Sequence, residues 1–221
     1  MNKTRILWSG ITGRTGVQAL KASANCDVAE IVAGVCRNDD QYYNYNQLNK
    51  IEDNFDVIVD FSHQDSFDII LAFALRIKKP LISGTSGITE QQLINLEAAA
   101  NTIPIFRGGN FRFEVEVFIN NVIDYAKNYT GEIKLVETHY KTKKVPSETA
   151  KVIAKRVFDI TGKNVKIESH LEYDDLINDW QVGELHCRVQ GFEQLGEDVL
   201  KIANMMKNQK PAGLYDLNGL L

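Results

Sequence analysis

The stretch Arg5-Ile6-Leu7-Trp8-Ser9-Gly10-Ile11-Thr12-Gly13-Arg14-Thr15-Gly16 decides the fold, because it joins an apolar strand to a helix through a glycine-spaced turn. We predict a strand over 5–8 and a helix over 17–24. Glycines three residues apart let the backbone approach a phosphate closely, and the amide groups at a helix start attract anions. The turn is therefore predicted to bind the pyrophosphate of a dinucleotide, with a merely tight structural turn as the alternative.

Strands alternate with helices through the first 110 residues. Further strands are predicted at 28–35, 56–62, 80–83 and 103–106, with helices at 66–77 and from Thr89 onward. These strands are almost continuously apolar, which is typical of parallel strands buried on both faces. The pattern predicts an α/β fold with a Rossmann-type, doubly wound parallel sheet.

A second pattern begins after Phe111. We predict a long helix to about residue 128, a strand over 132–138, a helix over 147–161, and strands near 165–171 and 184–189. Strands that follow one another without helices indicate a smaller α+β domain. The predicted domains are a dinucleotide-binding domain over 1–110, to which 192–221 return, and the α+β domain over 111–191.

The composition and charge of the chain disfavour several classes of function. The 221 residues are 44% apolar and 24% charged, and the net charge is −4. That charge disfavours a nucleic-acid partner, so anion recognition must come from local clusters such as Lys141, Lys143 and Lys144. No apolar run is long enough to span a membrane, and the three cysteines show no metal spacing. We expect a reduced, cytoplasmic protein that binds no metal.

Polar residues at the ends of predicted strands are candidates for cofactor contacts. Arg37 follows the second strand, where NAD-binding proteins have a ribose-binding carboxylate, so its guanidinium favours the 2′-phosphate of NADPH. The alternative is a solvated loop arginine. Two further strands end in Phe61-Ser62 and Gly84-Thr85-Ser86-Gly87, which are predicted to line the nicotinamide end. Helix capping is the alternative for their hydroxyl groups.

The segment Glu137–Ala150 carries the predicted acid-base chemistry. His139 and Lys143 are predicted to lie in a loop after the strand rather than in a core, and either side chain can then deliver a proton. A solvated basic loop is the alternative. Ser147 is predicted to cap the following helix, whose free amides can bind a carboxylate of an acidic substrate.

The motifs, in this order, resemble the dihydrodipicolinate reductase family, also called the 4-hydroxy-tetrahydrodipicolinate reductase family, of bacterial lysine and diaminopimelate synthesis. The resemblance covers almost the whole chain and rests on the segments 10–16, 59–62, 84–87, 110–111, 137–150 and 213–217. It implies hydride transfer from NADPH or NADH to a small dicarboxylate, 4-hydroxy-tetrahydrodipicolinate, which gives tetrahydrodipicolinate. It also implies that the α+β domain over 111–191 serves substrate binding and oligomerisation, and that the protein is a homotetramer.

The resemblance assigns roles to individual residues. His139 and Lys143 take the proton-donor positions, and the substrate-binding positions are Tyr140, Ser147, Glu148 and Thr149. The cofactor-binding positions are Gly10, Ile11, Thr12, Gly13, Arg14, Thr15, Arg37, Phe61, Ser62, Gly84, Thr85, Ser86, Gly108, Gly109, Asn110 and Phe111.

Departures from the family pattern leave alternatives open. Tyr140 replaces a second histidine and Glu148 replaces a glycine, so a carboxylate side chain lies where a dicarboxylate is expected to bind. Residues 178–185 replace an arginine-glycine turn, and the second domain is short after Val189, so a dimer is an alternative to the tetramer. The functional alternatives are a reductase of another amino or imino acid, and a catalytically silent homologue that binds a dinucleotide.

Overall fold

The computed structural model describes residues 2–191, 193–207 and 211–220. The chain forms two compact units: the first contains the described residues of 1–108 and 192–221, and the second contains 109–191. The chain leaves the first unit after Gly108 rather than at residue 110, so Gly109 and Asn110 belong to the second unit. Phe192, at the predicted start of the last helix, lies outside the described residues.

The first unit is built on a six-stranded sheet in which all neighbouring strands are parallel. Its strands, numbered in chain order, are β1 (Thr4–Ser9), β2 (Ala29–Val35), β3 (Val57–Asp60), β4 (Leu81–Ser83), β5 (Pro104–Phe106) and β10 (Gly213–Tyr215). The order across the sheet is β10-β5-β4-β3-β1-β2. The five strands predicted in the first 110 residues and the doubly wound parallel fold are confirmed.

Helices flank this sheet and complete its core. They are α1 (Arg14–Ser23), α2 (Gln64–Ile77), α3 (Glu90–Ala99), α6 (Glu193–Lys207) and α7 (Leu217–Leu220), with a 3₁₀ helix at Tyr45–Lys50. Ile6, Leu7 and Trp8 of β1 have no exposed surface. Helix α6 packs closely on α1 at Gly196, where a Cβ atom would lie 2.9 Å from the backbone nitrogen of Ala19. The C-terminal residues therefore belong to the first core.

The strand order reverses beside β1, because β1 lies between β2 and β3. In open α/β sheets, ligands bind at such a switch point, outside the carboxyl ends of the strands. Gly10 follows β1 and Phe61 follows β3 at this point. The fold therefore positions the predicted dinucleotide turn where a ligand is expected.

The second unit combines two helices with a mixed four-stranded sheet. Its elements are α4 (Phe113–Asn128), β6 (Ile133–Tyr140), α5 (Glu148–Thr161), β7 (Val165–Tyr173), β8 (Ile177–Val182) and β9 (Leu185–Gln190). The order is β7-β6-β8-β9, with β6 parallel to β7 and the other pairs antiparallel. This arrangement confirms the α+β class. Within the described ranges of the chain, no helix has the length and apolar character needed to cross a membrane.

Two features of the second unit differ from the predictions. Strand β8 is absent from the predicted elements, because only Ile177, Trp180 and Val182 of its residues are buried. His139 lies inside β6, so the prediction of a loop position is wrong. The buried side chains of β6 alternate from Ile133 through Leu135 and Glu137 to His139. Because strand side chains alternate between two faces, His139 shares the helix-covered face of Leu135.

Candidate active site

The turn after β1 packs directly against the end of β3. Gly10 has φ +79°, and a Cβ atom there would lie 2.3 Å from the carbonyl oxygen of Phe61. At Gly16, a Cβ atom would lie 2.3 Å from the carbonyl oxygen of Ile11. Because both contacts are with backbone atoms, no side-chain rotation relieves them, and this turn requires glycine at both positions.

The start of α1 offers backbone donors to a ligand. Gly13 is its N-cap residue and has no side chain that could cap the first turn of the helix. The first amides of a helix lack an intrahelical acceptor and carry the positive end of the helix dipole. Beside them, a cleft of about 360 Å³ is lined by Thr12, Arg37 and other residues of the turn and of the strand ends. The start of a helix and a guanidinium beside one cleft fit the phosphates of a dinucleotide.

Arg37 is accompanied by a carboxylate at this cleft. Its guanidinium lies 3.3 Å from Oδ2 of Asp65 and 3.3 Å from Oγ of Ser66, both in the first turn of α2. The side chains of Arg37 and Asp65 are 45% and 71% exposed. The predicted partner of a 2′-phosphate is therefore accessible, and its charge is partly offset by Asp65.

Some predicted cofactor-binding residues have buried side chains, which contact other parts of the protein and not a ligand. Ile11 is fully buried, and Thr85 is 2% exposed. The Thr85 hydroxyl donates to Oδ2 of Asp60 at 2.7 Å and accepts from the backbone N–H of Ser62 at 3.1 Å. Thr85 therefore ties β3 to the segment after β4, and its hydroxyl is not open to a ligand.

Phe61 has a packing role that the sequence does not reveal. Its ring stacks on Trp8 with 5.6 Å between centroids. A Cβ atom at Gly84 would lie 2.3 Å from the same ring, so Gly84 makes room for Phe61. Ser86 is exposed beyond this contact.

Asp60 is a buried acid that sequence reasoning missed as part of the site. It ends the apolar strand β3 and has no exposed surface. Burial raises its pKa, while hydrogen bonds from Ser62, Ser9 and Thr85 oppose the rise. The sequence feature that could have indicated a buried acid here is its position directly after three β-branched residues.

The last predicted cofactor segment, 108–111, spans the boundary between the units. Asn110 is 8% exposed, and its Oδ1 accepts from the backbone N–H of Arg112 at 2.8 Å. Its Nδ2 donates to the carbonyl oxygen of Arg112 at 3.0 Å. The Asn110 amide group therefore shapes the turn before α4. Gly109 and Phe111, like Asn110, belong to the second unit.

In the second unit, a buried carboxylate joins the predicted catalytic and substrate-binding segments. Glu137 accepts a hydrogen bond from Nε2 of His139 at 2.8 Å and from the hydroxyl of Ser147 at 2.6 Å. It also accepts from the backbone N–H of Ser147 at 3.0 Å and from the hydroxyl of Ser169 at 2.6 Å. Burial alone would raise the pKa of Glu137, but these hydrogen bonds outweigh burial and lower the pKa to about 2.

His139 is fully enclosed beside this carboxylate. Its side chain has no exposed surface, and its ring meets the Trp180 ring edge-on with 5.5 Å between centroids. Among the described residues, Nδ1 of His139 has no hydrogen-bond partner. Nε2 of the imidazole therefore forms a hydrogen bond with Glu137, whereas Nδ1 forms none with the described residues.

The other predicted residues of this segment differ in how far their side chains are exposed. Nζ of Lys143 lies 5.7 Å from the centroid of the Tyr140 ring. Glu148 begins α5, is 73% exposed and pairs with Lys151 at 2.7 Å. Thr149, the next residue, is 9% exposed. Ser147 is the N-cap of α5, as predicted, and its hydroxyl accepts from the N–H of Ala150 at 3.1 Å.

Sequence reasoning missed three members of this network: Glu137 as its acceptor, and Ser169 and Trp180 as donors. The indole N–H of Trp180 donates to Oγ of Ser147 at 3.3 Å. The pattern Glu137-x-His139 on an apolar strand was a usable signal for Glu137. Among the residues that the structure describes, no group of three or more histidine, cysteine, aspartate or glutamate side chains could hold a metal ion.

Comparison with known proteins places these features in one family. The family model described as "Dihydrodipicolinate reductase, N-terminus" matches residues 4–111. The 4-hydroxy-tetrahydrodipicolinate reductase of Caldanaerobacter subterraneus subsp. tengcongensis is 29% identical over 98% of this chain and 98% of its own. The enzyme of the same name from Clostridium perfringens is 30% identical over 74% of this chain and 67% of its own.

Solved structures support the same fold. A dipicolinate-bound dihydrodipicolinate reductase from Paenisporosarcina sp. TG-14 superposes with a TM-score of 0.75 and covers 97% of this chain and 98% of its own, at 15% identity. The WlbA dehydrogenase of Thermus thermophilus, solved with NAD and UDP-GlcNAcA, has a TM-score of 0.58 at 10% identity and covers 98% of each chain. The sequence matches and the fold agree, and this chain belongs to the dihydrodipicolinate reductase family.

Proposed function

We propose that this chain reduces 4-hydroxy-tetrahydrodipicolinate to tetrahydrodipicolinate, as its relatives are named to do. The observation that carries the proposal is the Glu137 network, which brings His139 and Ser147 to one carboxylate although eight positions separate them. The family resemblance assigns proton transfer to His139 and substrate binding to Ser147. The shared carboxylate brings these two residues into one buried cluster, which supports the proposal.

The proposed cofactor is NADPH, which supplies a hydride from its nicotinamide ring when bound. The donors at the start of α1 and the cleft beside Gly10 would bind its phosphates. Arg37 lies in the same cleft and would bind the 2′-phosphate. We expect Arg37→Ala to weaken NADPH binding by roughly 10-fold while NADH binding changes little, because one charge-assisted contact is worth about 1.5 kcal/mol.

The proposed chemistry adds a hydride and a proton to an unsaturated ring from which the hydroxyl leaves as water. Lys143 and His139 are the proposed sources of the proton, which goes to the carbon next to the one that accepts the hydride. Lysine side chains also attract the substrate carboxylates and stabilise developing negative charge. At the start of α5, the amides of Glu148 and Thr149 lack intrahelical acceptors and would bind a carboxylate.

A steady-state assay tests this proposal. Freshly made substrate and NADPH are mixed with the parent protein, and oxidation of NADPH is followed by absorbance. We expect sustained turnover, and a loss of roughly 10²-fold or more in His139→Ala and Lys143→Ala. Lys166→Ala, which removes an exposed lysine of β7, is the matched control and keeps the parent rate.

The same assay separates the two alternatives. NADPH binding without turnover would favour a catalytically silent homologue. Faster turnover of another cyclic imino acid would favour a different substrate, an outcome that Tyr140 and Glu148 motivate. We further propose, from the family resemblance, a cytoplasmic homo-oligomer, with four subunits rather than two. Light scattering coupled to size-exclusion chromatography measures that number directly.

A further inference from the structure

Glu137 connects three elements of the second unit through one side chain. Its carboxylate bonds His139 within β6, Ser147 at the start of α5 and Ser169 in β7. Both Glu137 and His139 have no exposed side-chain surface. A buried carboxylate with several hydrogen-bond donors fixes the positions of its partners, because losing any of these bonds in the interior costs about 1–3 kcal/mol.

The bond to His139 also decides which ring nitrogen carries the proton. An ionised carboxylate only accepts hydrogen bonds, so Nε2 of His139 must be the donor in the 2.8 Å contact. In the neutral imidazole, the proton therefore lies on Nε2 and the lone pair on Nδ1. Nδ1 has no partner among the described residues, so a proton that His139 delivers leaves the imidazolium from Nδ1, while Nε2 keeps its own proton in the bond to Glu137.

The same carboxylate fixes the first turn of α5. Ser147 gives Glu137 both its backbone N–H and its hydroxyl, and the Ser147 oxygen in turn accepts from Ala150 and from the indole of Trp180. Movement of Glu137 would therefore displace the helix start and the imidazole together.

We propose that Glu137 is a positioning residue of the reductase: it keeps the His139 proton on Nε2 and aligns the substrate-binding start of α5 with the imidazole. This inference rests on the proposed function, because it assigns Glu137 an effect on proton transfer by His139. Glu137 acts through His139 and the start of α5, to which the proposed function assigns proton transfer and substrate binding.

The chain contains a matched control in the neighbouring strand. Glu168 and His170 of β7 have the same two-residue spacing, and Nε2 of His170 lies 2.9 Å from Oε1 of Glu168. In the parallel register, Glu168 is opposite Val136 and His170 is opposite Thr138, on the other face of the sheet from Glu137. Both side chains are about two-fifths exposed, at 41% and 39%. Glu168→Gln therefore removes a carboxylate beside a histidine without disturbing the buried network.

The test combines nitrogen-15 NMR of the four histidines with kinetics. In the parent, we expect the His139 spectrum to show protonated Nε2 and unprotonated Nδ1. Glu137→Gln should mix the two forms and lower kcat by roughly 10²-fold, with little change in KM for NADPH, because an amide no longer fixes the tautomer. Glu168→Gln should leave the His139 signals unchanged and the rate within about 2-fold of the parent, as expected for an exposed pair.

Each outcome supports or overturns the inference. A parent His139 with its proton on Nδ1 overturns it, and this measurement needs no folded variant. A folded Glu137→Gln variant with the parent tautomer and parent kcat also overturns it. A parent that shows the Nε2 proton but no turnover would instead overturn the proposed function, so the two failures are distinguishable.

Discussion

Gly10 and Gly87 have similar backbone conformations but different surroundings. Their φ angles are +79° and +73°, a region in which side chains other than that of glycine are disfavoured. A Cβ atom at Gly10 would lie 2.3 Å from the carbonyl oxygen of Phe61, whereas at Gly87 the nearest contact is Gln64 at 4.0 Å. We expect Gly87→Ala to lower the unfolding free energy by about 1–2 kcal/mol, the ordinary cost of this conformation.

Gly10→Ala should cost more than Gly87→Ala and should also weaken dinucleotide binding by at least about 10-fold, because the end of β3 must move away from the turn. Urea denaturation gives the unfolding free energies, and fluorescence titration with NADPH gives the affinities. Equal affinity in the Gly10→Ala variant and the parent would show that the turn does not bind the phosphates.

Asp65 is expected to control the choice between NADPH and NADH. Its Oδ2 lies 3.3 Å from the Arg37 guanidinium, so it offsets part of the charge that a 2′-phosphate would use and would repel the phosphate itself. Asp65→Asn should tighten NADPH binding by about 3- to 10-fold and leave NADH nearly unchanged, an effect that decreases with added salt. The measurement is a pair of titrations at low and high salt. An equal gain for both cofactors would contradict the assignment.

At the scale of elements, the first unit could be predicted because one pattern repeats. The strand before Gly10 and the four further strands of the first 110 residues are apolar runs bounded by turn residues, and helix α1 begins at Arg14 in the glycine-spaced turn. The hydrophobic period and the turn residues therefore indicate the same elements. Strand β8 could not be found in this way. Asp179 and Gln181 lie on the opposite face from the buried Trp180 and Val182, and the strand is defined by pairing with β6, a contact between distant parts of the chain.

The position of His139 shows why site residues are harder to predict than strands. A histidine followed by several lysines reads as a polar loop, yet the alternation of β6 continues through Glu137 to His139. Glu137 lowers the free-energy cost of burying His139, because it accepts a hydrogen bond from Nε2. The partner is only two residues away, but Ser147 and Ser169 reach the same carboxylate through the fold, and no local pattern reports them.

Helix α5 begins with Glu148, which replaces the glycine of the family pattern, and we expect this change to affect substrate affinity most. Glu148 lies at its first position, is 73% exposed and pairs with Lys151. We expect Glu148→Gln to lower KM for the dicarboxylate by about 3- to 10-fold, with a smaller change in kcat, because a like charge leaves the binding segment. Asp159→Asn, at the other end of α5 and paired with Lys155, is the control and should not change KM. An unchanged KM in Glu148→Gln would place the substrate elsewhere.

For the molecule as a whole, each unit contains a fully buried acid, and the two acids respond to pH in opposite directions. In the first unit, burial raises the pKa of Asp60 above its ordinary 3.8. A raised folded pKa means that the folded state retains a proton which the unfolded state loses, so this contribution to stability is present below about pH 4 and is lost as the pH rises. The unfolding free energy of Asp60→Asn minus that of the parent should therefore increase from pH 4 upward.

In the second unit, Glu137 should give the opposite slope. Its pKa falls from 4.5 to about 2 because hydrogen bonds outweigh burial, so protonation of the unfolded state between these values favours unfolding. The parent should lose up to about 3 kcal/mol relative to Glu137→Gln as the pH falls from 5 to 2, at about 1.4 kcal/mol per unit of pKa shift. Trp8 lies in the first unit and Trp180 in the second, so fluorescence in Trp8→Phe and Trp180→Phe backgrounds follows each unit separately. Parallel slopes for the Asp60 and Glu137 variants would contradict the opposite protonation of the two acids.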